Sequence, residues 1–296
     1  MIKEAINGFC MALADSVPGV SGGTVAFIMG FYDSFITSIH DLVFGTGKER
    51  KQAIFYLMKL GTGWVFGMVL AVLVLSASFD RHIYVVSSLF IGFILGAIPL
   101  IIREEKESMR HVAKGIGFLL LGILLVAGIT WANGTLHSAS MDLSKWSVLL
   151  AVQLFVIGMI AISAMFLPGI SGSTLLLIFG AYIPVITAIK GVLTGNFIYI
   201  PALMCFGFGV LTGAVSVVKG IKFCLDRFRV QSIYMILGMM IGSFYAIVMG
   251  PTTLSDPKPP LDLFNVQLVP LLIGGILVLA MQWAKERLNG RIEKQG

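Results

Sequence analysis

Six runs of this chain, near residues 54–77, 83–102, 113–131, 199–221, 232–250 and 266–284, stay apolar over 19 to 24 residues. A helix of about 20 residues spans the hydrocarbon core of a bilayer. Only 12% of the residues are charged and 57% are hydrophobic, whereas a soluble domain carries about 25% charged residues. Water-facing surfaces cannot be built from this stock, so the expected class is an all-α integral membrane protein. No period-two alternation runs through the apolar segments, which argues against a β-barrel. Lys3, Glu4 and Asp15 interrupt the N-terminal segment, and no small-residue cleavage site follows an apolar core, so no cleaved signal peptide is expected. Cys10, Cys205 and Cys224 are odd in number and lie in apolar segments. They read as buried thiols rather than a disulfide framework or a metal site. The net charge of +6 is what basic cytoplasmic loops supply, and it implies no nucleic-acid partner.

Two further apolar stretches are interrupted. Residues 5–43 break at Val17-Pro18-Gly19, and residues 146–193 break at Leu167-Pro168-Gly169. The order is therefore a broken segment and three spans, twice over. Aligning Pro18 with Pro168 over 26 positions without a gap gives 11 identities, from Pro18, Gly19, Ser21, Gly22 and Thr24 to Gly30, Tyr32 and Ile39. Beyond that point the offset becomes 146. Gly61, Gly63 and Gly67 then match Gly207, Gly209 and Gly213, Asp80-Arg81 matches Asp226-Arg227, and Gly92 and Gly96 match Gly238 and Gly242. Glycines at four-residue spacing let membrane helices approach closely. The expected organisation is one membrane domain made of two repeats, 1–131 and 146–284.

Basic residues in short loops set the orientation. Lys48, Arg50 and Lys51 follow the first broken segment. Arg103, Lys106, Arg110 and Lys114 lie between two spans, as do Lys219, Lys222, Arg227 and Arg229, and Lys285, Arg287, Arg291 and Lys294 end the chain. The stretches 132–145 and 251–265 are nearly free of Lys and Arg. With the basic loops inside, both termini are cytoplasmic, and each broken segment begins and ends on one side. Three spans lie between, so the two repeats are inverted. Each broken segment is then a re-entrant hairpin or a pair of crossings; residues 1–17 are short for a crossing, whereas 146–167 could make one. Inverted repeats with interrupted helices are the mark of a secondary transporter.

The repeated strings, PGVSGGT at 18–24 and PGISGST at 168–174, have a definite chemistry. Proline lacks an N–H and drives the residue before it out of the helix. The apolar helices should stop at Val17 and Leu167. Ser21 and Ser171 are suited to cap the helices that restart there. Such an N-terminus offers unpaired N–H groups and the positive end of a dipole, which favours an anion, phosphate above all. Gly22, Gly23 and Gly172 would let a ligand approach, and Ser21, Thr24, Ser171, Ser173 and Thr174 add hydroxyl donors. The plain alternative is a tight turn in which Ser and Thr satisfy the backbone. A broken helix is tolerated in a membrane only where it is buried in protein or lines a wet cavity.

Asp15, next to the first break, is a candidate for coupling to a proton or sodium ion. Its repeat partner is Met165, so such a role is asymmetric. Arg81 and Arg227 are repeat-related guanidinium candidates for a phosphate, although each also suits a snorkelling span end. Lys59 and Lys190 rank lower. The G-x-S-G string at Gly19–Gly22 also suggests an intramembrane serine protease. A serine nucleophile needs a base, and His40, His82, His111 and His137 all sit at segment ends or in loops. No metal motif and no paired catalytic carboxylates are present. No enzyme and no cofactor are expected.

The strings DSVPGVSGGT and PGISGST, set in this order of spans, resemble the DUF368 family of bacterial membrane proteins over nearly the whole chain. The matching residues are Asp15, Ser16, Pro18, Gly19, Ser21, Gly22, Gly23 and Thr24, then Pro168, Gly169, Ser171, Gly172 and Ser173. The resemblance implies a polyprenyl-phosphate translocase of the bacterial cytoplasmic membrane. Its partner would be the lipid undecaprenyl phosphate, returned from the outer to the inner leaflet for reuse in cell-wall synthesis. A carrier of a soluble anion such as phosphate or sulfate is the alternative.

Overall fold

The computed structural model describes residues 2–15, 21–70, 82–135, 141–145, 147–170, 172–253 and 257–292. Among these residues there are helices and no strand. The first broken segment folds as α1 (Ile2–Asp15), α2 (Gly22–Ile28) and α3 (Tyr32–Phe44). Then come α4 (Gly47–Leu70), α5 (Ile83–Glu104), the single turn α6 (Lys106–Met109) and α7 (Val112–Thr135). The second broken segment gives α8 (Val148–Phe166), α9 (Gly172–Ile178) and α10 (Tyr182–Leu193). The chain continues as α11 (Ile200–Arg227), α12 (Arg229–Met249) and α13 (Leu268–Ile292).

Among the described residues six helices, α4, α5, α7, α8, α11 and α12, are long and apolar enough to cross a membrane, and α13 carries a shorter apolar stretch, Leu268–Ala280. The chain is a multi-pass membrane protein. At 1.5 Å per residue α1 is about 21 Å long and α2 about 10 Å, so neither alone covers a core of about 30 Å. They pack against each other, as α8 and α9 do.

Helix α4 begins at Gly47, earlier than the apolar run at 54, so Lys48, Arg50 and Lys51 lie in its first turns rather than in a loop. Glu49 explains this start, because its carboxylate accepts from both the amide and the hydroxyl of Thr46 at 2.8 Å, tying down a helix N-terminus. Cys224 is exposed and Cys10 and Cys205 are partly buried, which corrects the expectation of buried thiols. In a bilayer an apolar side chain gains nothing by leaving the protein surface, so apolar sequence does not imply burial.

Four helix pairs carry most of the packing: α1 with α4, α8 with α11, α5 with α13, and α7 with α12. Each seam is closed by glycine. A Cβ on Gly8 would overlap Leu60, and one on Gly63 would overlap Ala5. The same holds for Gly158 against Phe206 and Gly209 against Phe155 in the second pair. Gly92 meets Leu271 while Gly274 meets Leu89, and Gly122 meets Met235 while Gly238 meets Leu119. Backbone thus lies on backbone, the close approach that replaces hydrophobic driving force between membrane helices.

At one end of the bundle, called the basic end below, ionic contacts gather the helix ends. Arg229, the first residue of α12, donates from Nη1 to Asp33 at 3.0 Å and from Nε to Glu105 at 3.2 Å. Lys222 reaches Asp41 at 3.4 Å. These contacts tie α3 to α5, α11 and α12.

The glycine seams give a direct test. Gly238→Val forces a branched side chain into the Leu119 backbone and should cost about 1–3 kcal/mol. Gly207 faces open space, so Gly207→Ala should leave thermal unfolding in detergent unchanged or slightly raised. Equal unfolding temperatures for Gly238→Val and the parent protein would refute the seam.

Candidate functional site

Helix α8 stops where proline requires it. Leu167 is extended, with φ −87° and ψ 127°, as the residue before a proline should be. Pro168 is fully buried. Gly169 has φ +86°, and a Cβ there would stand 2.5 Å from the Met239 carbonyl oxygen, so only glycine fits. The end of a helix leaves carbonyl groups without partners. Here those partners come from the other broken segment. Tyr32 donates its hydroxyl to the Phe166 carbonyl at 2.8 Å, and Ser21 donates to the Leu167 carbonyl at 3.3 Å. In return the Gly169 N–H donates to Thr24 Oγ1 at 2.7 Å. Ser21, Thr24 and Tyr32 are all buried. The two broken segments therefore meet, and each completes the other's hydrogen bonding.

Ser21 caps α2 as its sequence position suggests. Its backbone is extended and its Oγ accepts from the Gly23 N–H at 3.1 Å. The amide of Gly22 points elsewhere, donating to Asp15 Oδ1 at 2.7 Å. The second carboxylate oxygen of Asp15 accepts from Trp64 Nε1 on α4 at 3.1 Å. A Cβ on Gly22 would stand 2.8 Å from Asp15 Oδ2, and one on Gly23 would stand 3.2 Å from the carbonyls of Met165 and Phe166. The glycines thus make room for the Asp15 carboxylate and for α8. In the second segment the corresponding glycine, Gly172, lies against the side chain of Met165. The position of Trp64 is held in the other half by Val210. Both members of the acid–indole pair are apolar there.

Two cavities flank this junction. One, of about 590 Å³, lies between α1, α4 and α8 and is lined by Asp15, Trp64, Met11, Met165 and Phe166 among others. The other, of about 750 Å³, lies between α7, α11 and α12 and reaches Tyr32 and Leu167. The Phe166–Leu167 peptide stands between them.

The expected site residues are distributed as follows. Asp15, Ser21, Gly22, Gly23, Thr24 and Gly169 come together at the junction. Gly172 is buried in the first turn of α9 and Thr174 is partly buried beside it. Pro18, Gly19, Arg81 and Ser171, and the side chains of Ser173 and Lys190, lie outside the described residues. Arg227 is exposed in the last turn of α11 and takes no part in the hydrogen bonds that join the breaks. Lys59 is partly buried on α4. Ser21 spends its hydroxyl on backbone groups.

Sequence reasoning missed Trp64 and Tyr32. Tyr32 had a signal, since Tyr182 repeats it. Trp64 had a subtler one: its repeat position is apolar, as is that of Asp15.

A cluster of this kind, buried among membrane-crossing helices and built from two interrupted ones, is an arrangement that membrane transporters carry. The chain belongs to the VCA0040-like family, described as undecaprenyl phosphate translocase-like, whose model matches residues 11–260. It is 34% identical over 281 residues to a polyprenyl-phosphate transporter of Staphylococcus aureus, covering 93% of this chain and 94% of that one. It is 31% identical over 266 residues to a polyprenyl-phosphate transporter of Vibrio cholerae, covering 86% and 80% respectively. No solved structure matches the chain.

The junction makes a testable demand. Thr24→Val leaves the buried Gly169 N–H without an acceptor, which should cost about 1–3 kcal/mol. Thr24→Ser keeps the oxygen and should recover most of the loss in thermal unfolding. Equal stability of the valine variant would remove the junction's claim to hold the halves together.

Proposed function

We propose that this protein carries a polyprenyl phosphate across the bacterial cytoplasmic membrane, from the outer to the inner leaflet, and so returns the carrier lipid for reuse in cell-wall synthesis. The names of its relatives support the lipid class. The two halves act as inverted repeats about the junction, with both termini in the cytoplasm, as the distribution of basic residues suggests. In that arrangement the strings at 21–24 and 171–174 approach the centre from opposite faces.

The observation that carries the mechanism is the Asp15 carboxylate held by the Gly22 N–H and the Trp64 indole N–H. An oxyanion already rests on the start of α2, so these donors accept an oxyanion. Asp15 and a phosphate oxygen compete for them. When Asp15 takes up a proton or a sodium ion, it yields the Gly22 N–H, and the phosphate moves onto the donors of Ser21, Gly22, Gly23 and Thr24. The matching residues Ser171, Gly172, Ser173 and Thr174 receive it from the other side. Arg81 and Arg227 serve the phosphate near the two surfaces.

Energetics favour such coupling. Moving an anion inward against an inside-negative potential costs about 2.3 kcal/mol per charge per 100 mV. A proton or cation that travels with each negative charge cancels that cost.

The test is translocation of labelled undecaprenyl phosphate in proteoliposomes, followed against pH and sodium. Asp15→Asn should lose the dependence on one of them, because an amide binds neither ion in the same way. Wild-type dependence on both in the variant would sink the coupling role. Free phosphate uptake in the same vesicles, without lipid movement, would favour a soluble-anion carrier. Cleavage of a membrane peptide that needs Ser21 would revive the protease alternative. Replacing Ser21-Gly22-Gly23 and Ser171-Gly172-Ser173 with bulky apolar residues, in protein that still folds, should abolish lipid movement.

A further inference from the structure

The cavity of about 750 Å³ between α7, α11 and α12 has no part in the phosphate chemistry above, and its shape calls for a different occupant. It runs along α11 from Val217 to Leu225 and along α12 from Gln231 to Met239. One end lies at Phe228 and Gln231, at the turn between these helices. That turn is the basic end, where Arg227 immediately precedes Phe228 and Arg229 follows it. The other end reaches Met239 and Leu167, whose carbonyl takes the Ser21 hydroxyl at the break; Tyr32 runs between the two ends, next in sequence to Asp33 of the basic end and with its hydroxyl on Phe166. Among the described residues no charged side chain lines the cavity. Its wall includes the thioethers of Met235 and Met239 and the rings of Phe118 and Phe228.

Arg229 is occupied by Asp33 and Glu105, which leaves the exposed Arg227 guanidinium at that mouth; a groove that is apolar along its length, with this cation at one mouth and its far end at the junction, fits a lipid lying head-out. We infer that this groove is the berth of the isoprenoid tail, with the phosphate at the basic end and the chain running inward to Leu167. The inference rests on the proposed transport of a polyprenyl phosphate and adds the site that selects its tail. Hydrophobicity gives no selectivity here, because acyl chains are as apolar as leucine. Selection comes from fit. Methionine side chains adapt to irregular apolar shapes, which suits the methyl branches and double bonds of an isoprenoid better than a rigid wall would.

One residue allows the groove to be filled without disturbing the fold. Gly220 lines it, and a Cβ built there meets no atom within 4 Å. Gly207, on the same helix, is equally open and lines neither cavity. The experiment uses the full-length protein in proteoliposomes with undecaprenyl phosphate that carries a diazirine in its tail. Photolysis should label peptides that contain residues 217–239 and 118–121. Excess unlabelled undecaprenyl phosphate should suppress that labelling, and phosphatidylglycerol should not. Gly220→Trp should remove the labelling and slow lipid translocation by about tenfold, while Gly207→Trp retains both.

Suppression of the labelling to an equal extent by phosphatidylglycerol would mean that ordinary bilayer lipid fills the groove, and would overturn the inference. So would wild-type translocation by Gly220→Trp, or labelling confined to other helices in a protein that still translocates the lipid. A parent protein that moves no polyprenyl phosphate would instead overturn the transport function on which the inference stands.

Discussion

A helix that stops inside a membrane leaves carbonyl groups that lipid cannot satisfy, and this constraint governs the centre of the molecule. Helix α8 stops at Phe166 because Pro168 follows. The carbonyls of Phe166 and Leu167 find their donors in Tyr32 and Ser21, well over a hundred residues away in sequence. Thr24 accepts the returning amide of Gly169. Separating the segments would strand buried polar groups on both sides, at a cost of a few kcal/mol for each. Any motion of one half against the other therefore has to keep these bonds or exchange them for others of equal quality.

The second organising fact is an asymmetry laid over a duplication. Main-chain packing repeats closely: Gly8 lies on α4 near Trp64, and Gly158 lies on α11 near Val210. The side chains at the corresponding places diverge. Asp15 and Trp64 form a hydrogen-bonded polar pair, whereas Met165 and Val210 cannot. The acid–indole pair makes the two corresponding places chemically different, although the backbone packing around them is alike.

Much of this was legible in the sequence wherever the determining chemistry is local. Pro168 dictates the end of α8, and Ser21 caps α2 because its hydroxyl reaches the Gly23 amide two residues on. The duplicated glycines announced close helix contacts. What the sequence withheld is long-range. Nothing near Ser21 says that its hydroxyl will turn to Leu167, and nothing in Gly22 says that its amide will be held by Asp15 rather than left open for a ligand. Composition also misled over burial, since Cys224 sits in an apolar helix yet faces outward. Which helix face meets lipid depends on partners that only the tertiary arrangement supplies.

The pairing of the helices has a consequence for the divisibility of the molecule. Helices α1 and α4, and likewise α8 and α11, find each other within their own repeat. Helices α5 and α13 pair across the repeats, and so do α7 and α12. A chain the length of one repeat would hold its first pair but leave two helices with glycine faces and nothing to lie on. The two halves of the chain are therefore not separable units: the surface on which α5 and α7 lie is supplied by helices from far along the sequence, and a cut between them would leave both without a bed.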